Sequence, residues 1–139
     1  MFERIVVALD GSDHSHRALE HAKHLAECLD ATLWLVHAFA HTSDLWGHDK
    51  FDELVTQRKT AGQDILDEAR KTLGDTTFDV QEELLEGPAA EAILNVAEVR
   101  NADLIVLGTR GHGSLQGMLV GSVGNKVLQH AHCPVMLVR

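Results

Sequence analysis

Short apolar segments alternate along this chain with stretches in which apolar residues recur at helical spacing, and few folds accommodate that pattern. The uninterrupted runs at residues 5–9 and 104–107 are long enough for buried strands and far too short to span a bilayer. Strand-sized segments joined by helix-sized ones form parallel sheets with right-handed crossovers. The alternation therefore predicts an α/β fold, an open parallel sheet with helices on both faces.

The apolar runs divide the chain into five predicted strands, at residues 4–9, 32–38, 78–85, 103–107 and 134–138. The third of these is the most polar, so we expect it near a sheet edge. Open parallel sheets bind ligands beyond the carboxyl ends of their strands, where the strand order reverses. Three segments would reach that position: Asp10-Gly-Ser after the first strand, Ala38 onward after the second, and Gly108 onward after the fourth.

Composition narrows the class of protein further. A length of 139 residues with 45% hydrophobic residues predicts one ordered domain spanning 1–139, with no separate catalytic module. The N-terminus has no signal-peptide pattern, so we expect a cytoplasmic protein that is not membrane-embedded. Cys28 and Cys133 form no disulfide or zinc pattern and are predicted to be small buried hydrophobes.

The charge of the chain is unevenly distributed. The formal net charge is −9, and the acidic residues are concentrated between residues 44 and 86. No basic stripe is present, so nucleic acid is an unlikely partner. The segment after residue 87 is nearly balanced, and it is the part of the chain that would not repel a triphosphate.

The balanced segment contains an unusual glycine-rich stretch. Five glycines lie within residues 108–121, between a predicted strand and a predicted helix that Ser122 is placed to cap. Glycines allow sharp bends and close backbone approach, and a loop leading into a helix N-terminus presents N–H groups and partial positive charge to an anion. A flexible loop without function is the alternative. We interpret the stretch as a phosphate-binding loop in a nucleotide-binding protein.

The familiar phosphate motifs do not describe this loop. The chain has no Gly-x4-Gly-Lys-Ser/Thr sequence, no dinucleotide fingerprint after the first strand and no His-x-Gly-His pattern. What it does match is Gly-x2-Gly-x9-Gly-Ser, at Gly108, Gly111, Gly121 and Ser122. Together with Asp10-Gly-Ser after the first strand and Cys-Pro-Val-Met-Leu-Val at residues 133–138, this motif resembles the universal stress protein family over essentially the whole chain.

The resemblance implies a flavodoxin-like, Rossmann-like domain with strand order 3-2-1-4-5 that binds adenine nucleotide and usually dimerises. Members with the complete glycine motif bind ATP, and this chain retains all of it. One departure is that the family often has Gly-x-Pro before its third helix, where this chain has Gly87-Pro88-Ala89. Transferred by position, Asp10 and the Ala38 backbone would lie at the adenosine end, and Gly108 and Gly111 near the ribose and phosphates.

The same transfer implies that the residues at the start of the fourth helix would donate N–H groups to the phosphates. The complete set of candidate nucleotide-binding residues is Asp10, Ala38, Leu107, Gly108, Arg110, Gly111, Gly113, Gly121, Ser122 and Val123. Backbone donors leave much of the triphosphate charge uncompensated, so we expect ATP to bind with Mg²⁺ or Mn²⁺. Asp10 and Ser122 are the candidate metal ligands.

Several of these residues have a structural alternative. Asp10 is interpreted as a ligand contact, with a turn-forming residue before glycine as the alternative. Arg110 and His112 are either phosphate contacts or solvated loop side chains. His37 is predicted to be packed rather than catalytic. Trp46 lies in the loop after the second strand and is a candidate cover for the nucleotide.

These observations favour a cytoplasmic ATP-binding regulator of the stress response. In such a protein ATP shifts a population of states and controls assembly or docking to a partner such as a transporter. The alternative is an enzyme, a slow ATPase or a self-phosphorylating protein, for which no dedicated general base is evident. The apolar last strand, residues 134–138, predicts a homodimer formed through that edge, with a higher oligomer left open.

Overall fold

The structure is a computed structural model that describes residues 1–110 and 119–139. Within these residues the strands are Arg4–Ala8 (β1), Thr32–Phe39 (β2), Val80–Glu86 (β3), Leu104–Gly108 (β4) and Val135–Val138 (β5). The α-helices in the same part of the chain are Asp13–Leu29 (α1), Phe51–Leu73 (α2), Ala89–Val99 (α3) and Ser122–His130 (α4), and a short 3-10 helix covers Thr42–Leu45.

The strands form one parallel sheet in the order β3-β2-β1-β4-β5, which confirms the predicted topology. Its centre is β1, where Val6 lies opposite Trp34 on one side and Ile105 on the other. The central strands are buried because helices cover both of their faces, as their uninterrupted apolar sequences require. The more polar β3 is only partly buried and lies at an edge, as predicted.

The hydrophobic core has two halves, one on each face of the sheet. On one face, apolar residues of α1 and α2 such as Leu19 and Leu66 pack against Ile5 and Val7. On the other, α3 and α4 contribute Ile93 and Val127. The helices therefore leave β1 and β4, which are neighbours in the sheet, toward opposite faces. At such a divergence open parallel sheets form a crevice for ligands, and the topology places it here at the carboxyl ends of β1 and β4.

Two local predictions were wrong. The third strand begins at Val80 rather than at residue 78, because Phe78 is buried in the core without taking part in the ladder. Cys28 fits the helical spacing of α1 but is exposed, while Cys133 is partly buried. Burial, together with the nearby Asp103 carboxylate, raises the pKa of the Cys133 thiol.

No helix in the described part of the chain is long and apolar enough to cross a membrane.

Candidate functional site

The turn between β1 and α1 fixes Asp10 at the mouth of the crevice. The Ser12 N–H donates to Asp10 Oδ1 at 2.9 Å, and the Asp10 N–H donates to the Ser15 hydroxyl at 3.3 Å. Gly11 has a φ of 83°, a left-handed conformation that favours glycine. Ser12 then caps α1 by accepting the Ser15 N–H. Asp10 therefore does form the turn, which was the alternative to a role in binding. It is also partly exposed at the predicted adenosine end, so it could still contact a ligand.

The end of β4 packs tightly against the first turn of α1. Leu107 is buried, and Gly108 faces His14 so closely that an added Cβ would lie 2.7 Å from the His14 Cβ and 2.8 Å from its carbonyl carbon. Helix packing is therefore sufficient reason for a glycine at position 108, independently of any nucleotide. Arg110 follows two residues later and is partly buried.

The start of α4 corrects one detail of the sequence prediction. The Gly121 N–H, expected to bind phosphate, donates instead to the Thr109 carbonyl at 2.6 Å. Gly121 has a φ of −73° and a ψ of 173°, an extended conformation open to any residue, so no left-handed backbone requires glycine there. It is buried, and its carbonyl accepts the Asn125 N–H, the first backbone hydrogen bond of the helix.

The next residues of α4 have the geometry of an anion site. Ser122 and Val123 are exposed and occupy the first turn of α4. The N–H groups of a first helical turn have no acceptor within the helix. The prediction that Ser122 caps α4 was wrong, because the cap position is Gly121, which has no side chain, and Ser122 is the first residue of the helix. The helix dipole adds partial positive charge at the same end. These two residues therefore remain candidate phosphate donors, and the Ser122 hydroxyl lies beside them.

Ala38 lies near the carboxyl end of β2, opposite Leu85 of β3, and is partly exposed. Its neighbour His37 is buried, and His37 Nδ1 donates to the Leu9 carbonyl at 2.6 Å. The other edge of the ring packs where α2 crosses at Gly62, since an added Cβ there would lie 2.9 Å from His37 Cδ2. The prediction that His37 is packed is confirmed.

The loop after β2 is fastened by two polar contacts that the sequence did not reveal. The Thr42 hydroxyl and N–H both donate to the Glu86 carboxylate at the end of β3, and these bonds hold the pKa of Glu86 below its ordinary value. Arg58 of α2 forms a two-pronged ion pair with Asp44, at 3.0 and 2.8 Å, and thereby lowers the pKa of Asp44. The partners are distant in sequence, so no local spacing could have indicated them.

Trp46 follows this fastened loop and is 71% exposed, with its indole edge-on to the His41 ring at a centroid distance of 6.4 Å. Its proposed role as a cover for nucleotide stays a prediction. Gly111 and Gly113, together with His112, lie outside the described residues. Within residues 1–110 and 119–139, no three His, Cys, Asp or Glu side chains group as metal ligands.

Comparison with known proteins is consistent with this geometry. The model of the universal stress protein family matches residues 1–139. A Thermus aquaticus protein named "universal stress protein in QAH/OAS sulfhydrylase 3'region" is 42% identical over 139 residues, which cover all of both chains. The chain belongs to the universal stress protein family.

Solved structures agree with the assignment. The structure of the universal stress protein UspA from Lactobacillus plantarum superposes with a TM-score of 0.87 at 26% identity, covering 99% of this chain and 98% of that one. A universal stress protein crystallised in complex with cAMP has a TM-score of 0.71 at 27% identity, with 99% and 97% covered. The second of these relatives binds an adenine nucleotide.

Proposed function

We propose that this protein binds ATP, with Mg²⁺ or Mn²⁺, at the crevice between β1 and β4 and acts as a cytoplasmic regulator of the stress response. The observation that carries the proposal is the exposed first turn of α4, whose cap residue Gly121 has no side chain and which follows β4 at the switch point of the sheet. The cAMP complex of a family member supports an adenine nucleotide as the ligand class.

The residues present fit such a ligand. The Ser122 and Val123 N–H groups and the Ser122 hydroxyl would face phosphate oxygens, and Arg110 would neutralise part of their charge. The Asp10 carboxylate, held by the Ser12 N–H, would meet the ribose or the metal. Bound Mg²⁺ would supply compensation for the triphosphate charge, using phosphate oxygens and one or two protein oxygens.

Occupancy of this site would control assembly or docking to a partner, since a ligand shifts an equilibrium only through different affinities for its states. Dimerisation through β5 is the assembly we propose, because β5 is an edge strand whose Val135 and Leu137 are only partly buried. The partner would recognise a state whose population ATP changes.

Calorimetry with ATP tests the proposal through Ser122→Ala. A hydrogen bond to a charged group contributes about 1.5–3 kcal/mol, so the loss of the hydroxyl should weaken ATP binding roughly 10- to 100-fold. Ser122 is exposed and should affect stability little. Gln129→Ala, at an exposed position near the other end of α4, is the matched control and should bind as the wild type does. Equal ATP affinity in the wild type and Ser122→Ala would show that the Ser122 hydroxyl takes no part in ATP binding.

An ATP turnover assay on wild type and Asp10→Asn separates the regulator from the enzyme alternative. Asparagine retains an oxygen that accepts the Ser12 N–H, so the turn should persist while the charge is lost. A regulator shows no turnover above background in either protein. Turnover by the wild type that falls in Asp10→Asn would favour an ATPase or a self-phosphorylating protein.

A further inference from the structure

Thr109 is a buried polar residue that joins three elements at the end of β4. It is 7% exposed. Its N–H donates to the Val138 carbonyl of β5 at 2.8 Å, and its own carbonyl accepts the Gly121 N–H at the start of α4 at 2.6 Å. Its hydroxyl lies 3.0 Å from His14 Nδ1 on α1, in a hydrogen bond whose donor depends on the ring tautomer. Every polar group of Thr109 is thus engaged, as burial requires.

His14 is in turn fixed from two directions. Its backbone lies against Gly108, where an added Cβ would approach the His14 carbonyl carbon to 2.8 Å. Its ring meets the Thr109 hydroxyl, and the residue is partly buried. The cap of α1 by Ser12 fixes the helix start just before it. His14 therefore has little freedom to move relative to the end of β4.

We propose that His14 and Thr109 form a positioning pair that orients the first turn of α4 for phosphate. The inference rests on the proposed function, because it deepens the account of the same site. The N–H groups of Ser122 and Val123 are oriented by Gly121, the residue immediately before the helix, and the Gly121 N–H donates to the Thr109 carbonyl. The His14 ring holds the Thr109 side chain, and it thereby fixes the Thr109 carbonyl that accepts the Gly121 N–H.

The pair acts through backbone geometry and needs no contact with the ligand. Its effect is preorganisation, since a donor already in place loses less freedom when the anion binds. Removal of either partner should loosen the turn and leave the other group, the buried Thr109 hydroxyl or the partly buried His14 ring, without its hydrogen bond.

Thr109→Val tests the inference because valine keeps the branched shape and both backbone bonds while removing the hydroxyl. We expect ATP affinity to fall about three- to tenfold, the range for one neutral hydrogen bond. Thr109→Ser restores the hydroxyl and should recover most of the affinity. His14→Ala should show a loss similar to that of Thr109→Val. The double variant should bind ATP no more weakly than whichever single variant binds it less tightly, because both changes remove the same interaction.

His16→Ala is the matched control, on the same helix but exposed, with a 3.6 Å contact to Glu20. It should leave ATP affinity unchanged. Hydrogen exchange of the Gly121 amide, measured by NMR without nucleotide, distinguishes local positioning from a general effect on stability. The melting temperature is measured on the same samples. We expect faster Gly121 exchange in Thr109→Val and wild-type exchange in His16→Ala, with global unfolding little changed.

Unchanged affinity in Thr109→Val, or additive losses in the double variant, would overturn the positioning pair. If the wild type binds no ATP, the proposed function is wrong and the exchange measurement alone decides whether the pair holds the start of α4. Wild-type exchange of Gly121 in both Thr109→Val and His14→Ala would then overturn the inference.

Discussion

Replacement of Gly108 by alanine is the most direct test of how the crevice is built. The added Cβ would lie 2.7 Å from the His14 Cβ, 2.8 Å from the His14 carbonyl carbon and 3.1 Å from its oxygen. Ordinary carbon–carbon contact is at about 3.5–4.0 Å. Two of the three atoms belong to the backbone of α1, so no side-chain rotation relieves the overlap. The helix and the strand end must move apart by close to 1 Å.

The size of the penalty follows from two opposing terms. Overpacking at a well-packed contact costs about 1–3 kcal/mol. Replacing glycine also reduces the conformational entropy of the unfolded chain, which stabilises the folded state by about 0.4–1 kcal/mol. We therefore expect Gly108→Ala to lower the free energy of unfolding by about 1–2 kcal/mol, and the melting temperature by roughly 3–8 °C.

Urea unfolding followed by circular dichroism measures this difference, with Gly124→Ala as the matched control. Gly124 lies inside α4, where a Cβ would meet the end of the Val120 side chain at 3.2 Å and Leu137 Cδ2 at 3.4 Å. The two nearest neighbours are side-chain atoms that can shift, and the third, the Gly108 carbonyl oxygen, lies at an ordinary contact distance of 3.8 Å. Alanine also gains about 0.8–1 kcal/mol of helix propensity over glycine. Gly124→Ala should be at least as stable as the wild type. Wild-type stability in Gly108→Ala would show that close contact with His14 does not require a glycine at position 108.

Three further predictions concern metal, assembly and pH. Chelation of divalent metal should weaken ATP binding severalfold in calorimetry, and unchanged affinity would count against a metal bound by both phosphate and protein oxygens. Val135→Lys places a charge on the β5 edge and should convert the proposed dimer to monomer in sedimentation velocity, whereas a persistent dimer of folded protein would exclude that edge. Since Thr42 lowers the pKa of Glu86, the stability from this contact is present above the ordinary glutamate pKa and is lost as pH falls through the lowered one. The urea midpoint of Glu86→Gln should therefore depend less on pH than that of the wild type below about pH 5, and parallel curves would refute this.

The fold was predictable because its strongest signals are local. Uninterrupted apolar runs such as residues 5–9 occur where both sheet faces are covered, and the structure buries that run completely or nearly so. The ends of the strands were harder to predict, because in the sequence an apolar residue outside the strand pairing looks the same as one within it. Phe78 is buried without being in β3, and the exposed Cys28 occupies a position that helical spacing alone counted as apolar.

The site was predictable where it depends on strand ends and not where it depends on how elements cross. Asp10 comes soon after β1, Gly108 ends β4 and Ser122 begins α4, so topology brings their segments to one edge of the sheet. His14 contacts Thr109 across 95 positions of sequence, and the contact exists because α1 crosses the end of β4. No periodicity encodes that crossing. For the same reason the Gly121 N–H could be assigned to phosphate from the motif, although the fold gives it to the Thr109 carbonyl.

A site whose donors are backbone N–H groups responds to sequence in an unusual way. The Val123 N–H is chemically the same whatever side chain it carries, so substitutions act chiefly by moving the backbone. Residues that fix the backbone, such as Gly108 against His14, should then matter as much as Arg110, which would contribute only a partly solvated charge to the proposed triphosphate. The glycine at position 108 is therefore explained by how closely α1 and β4 meet, without any contact to a ligand.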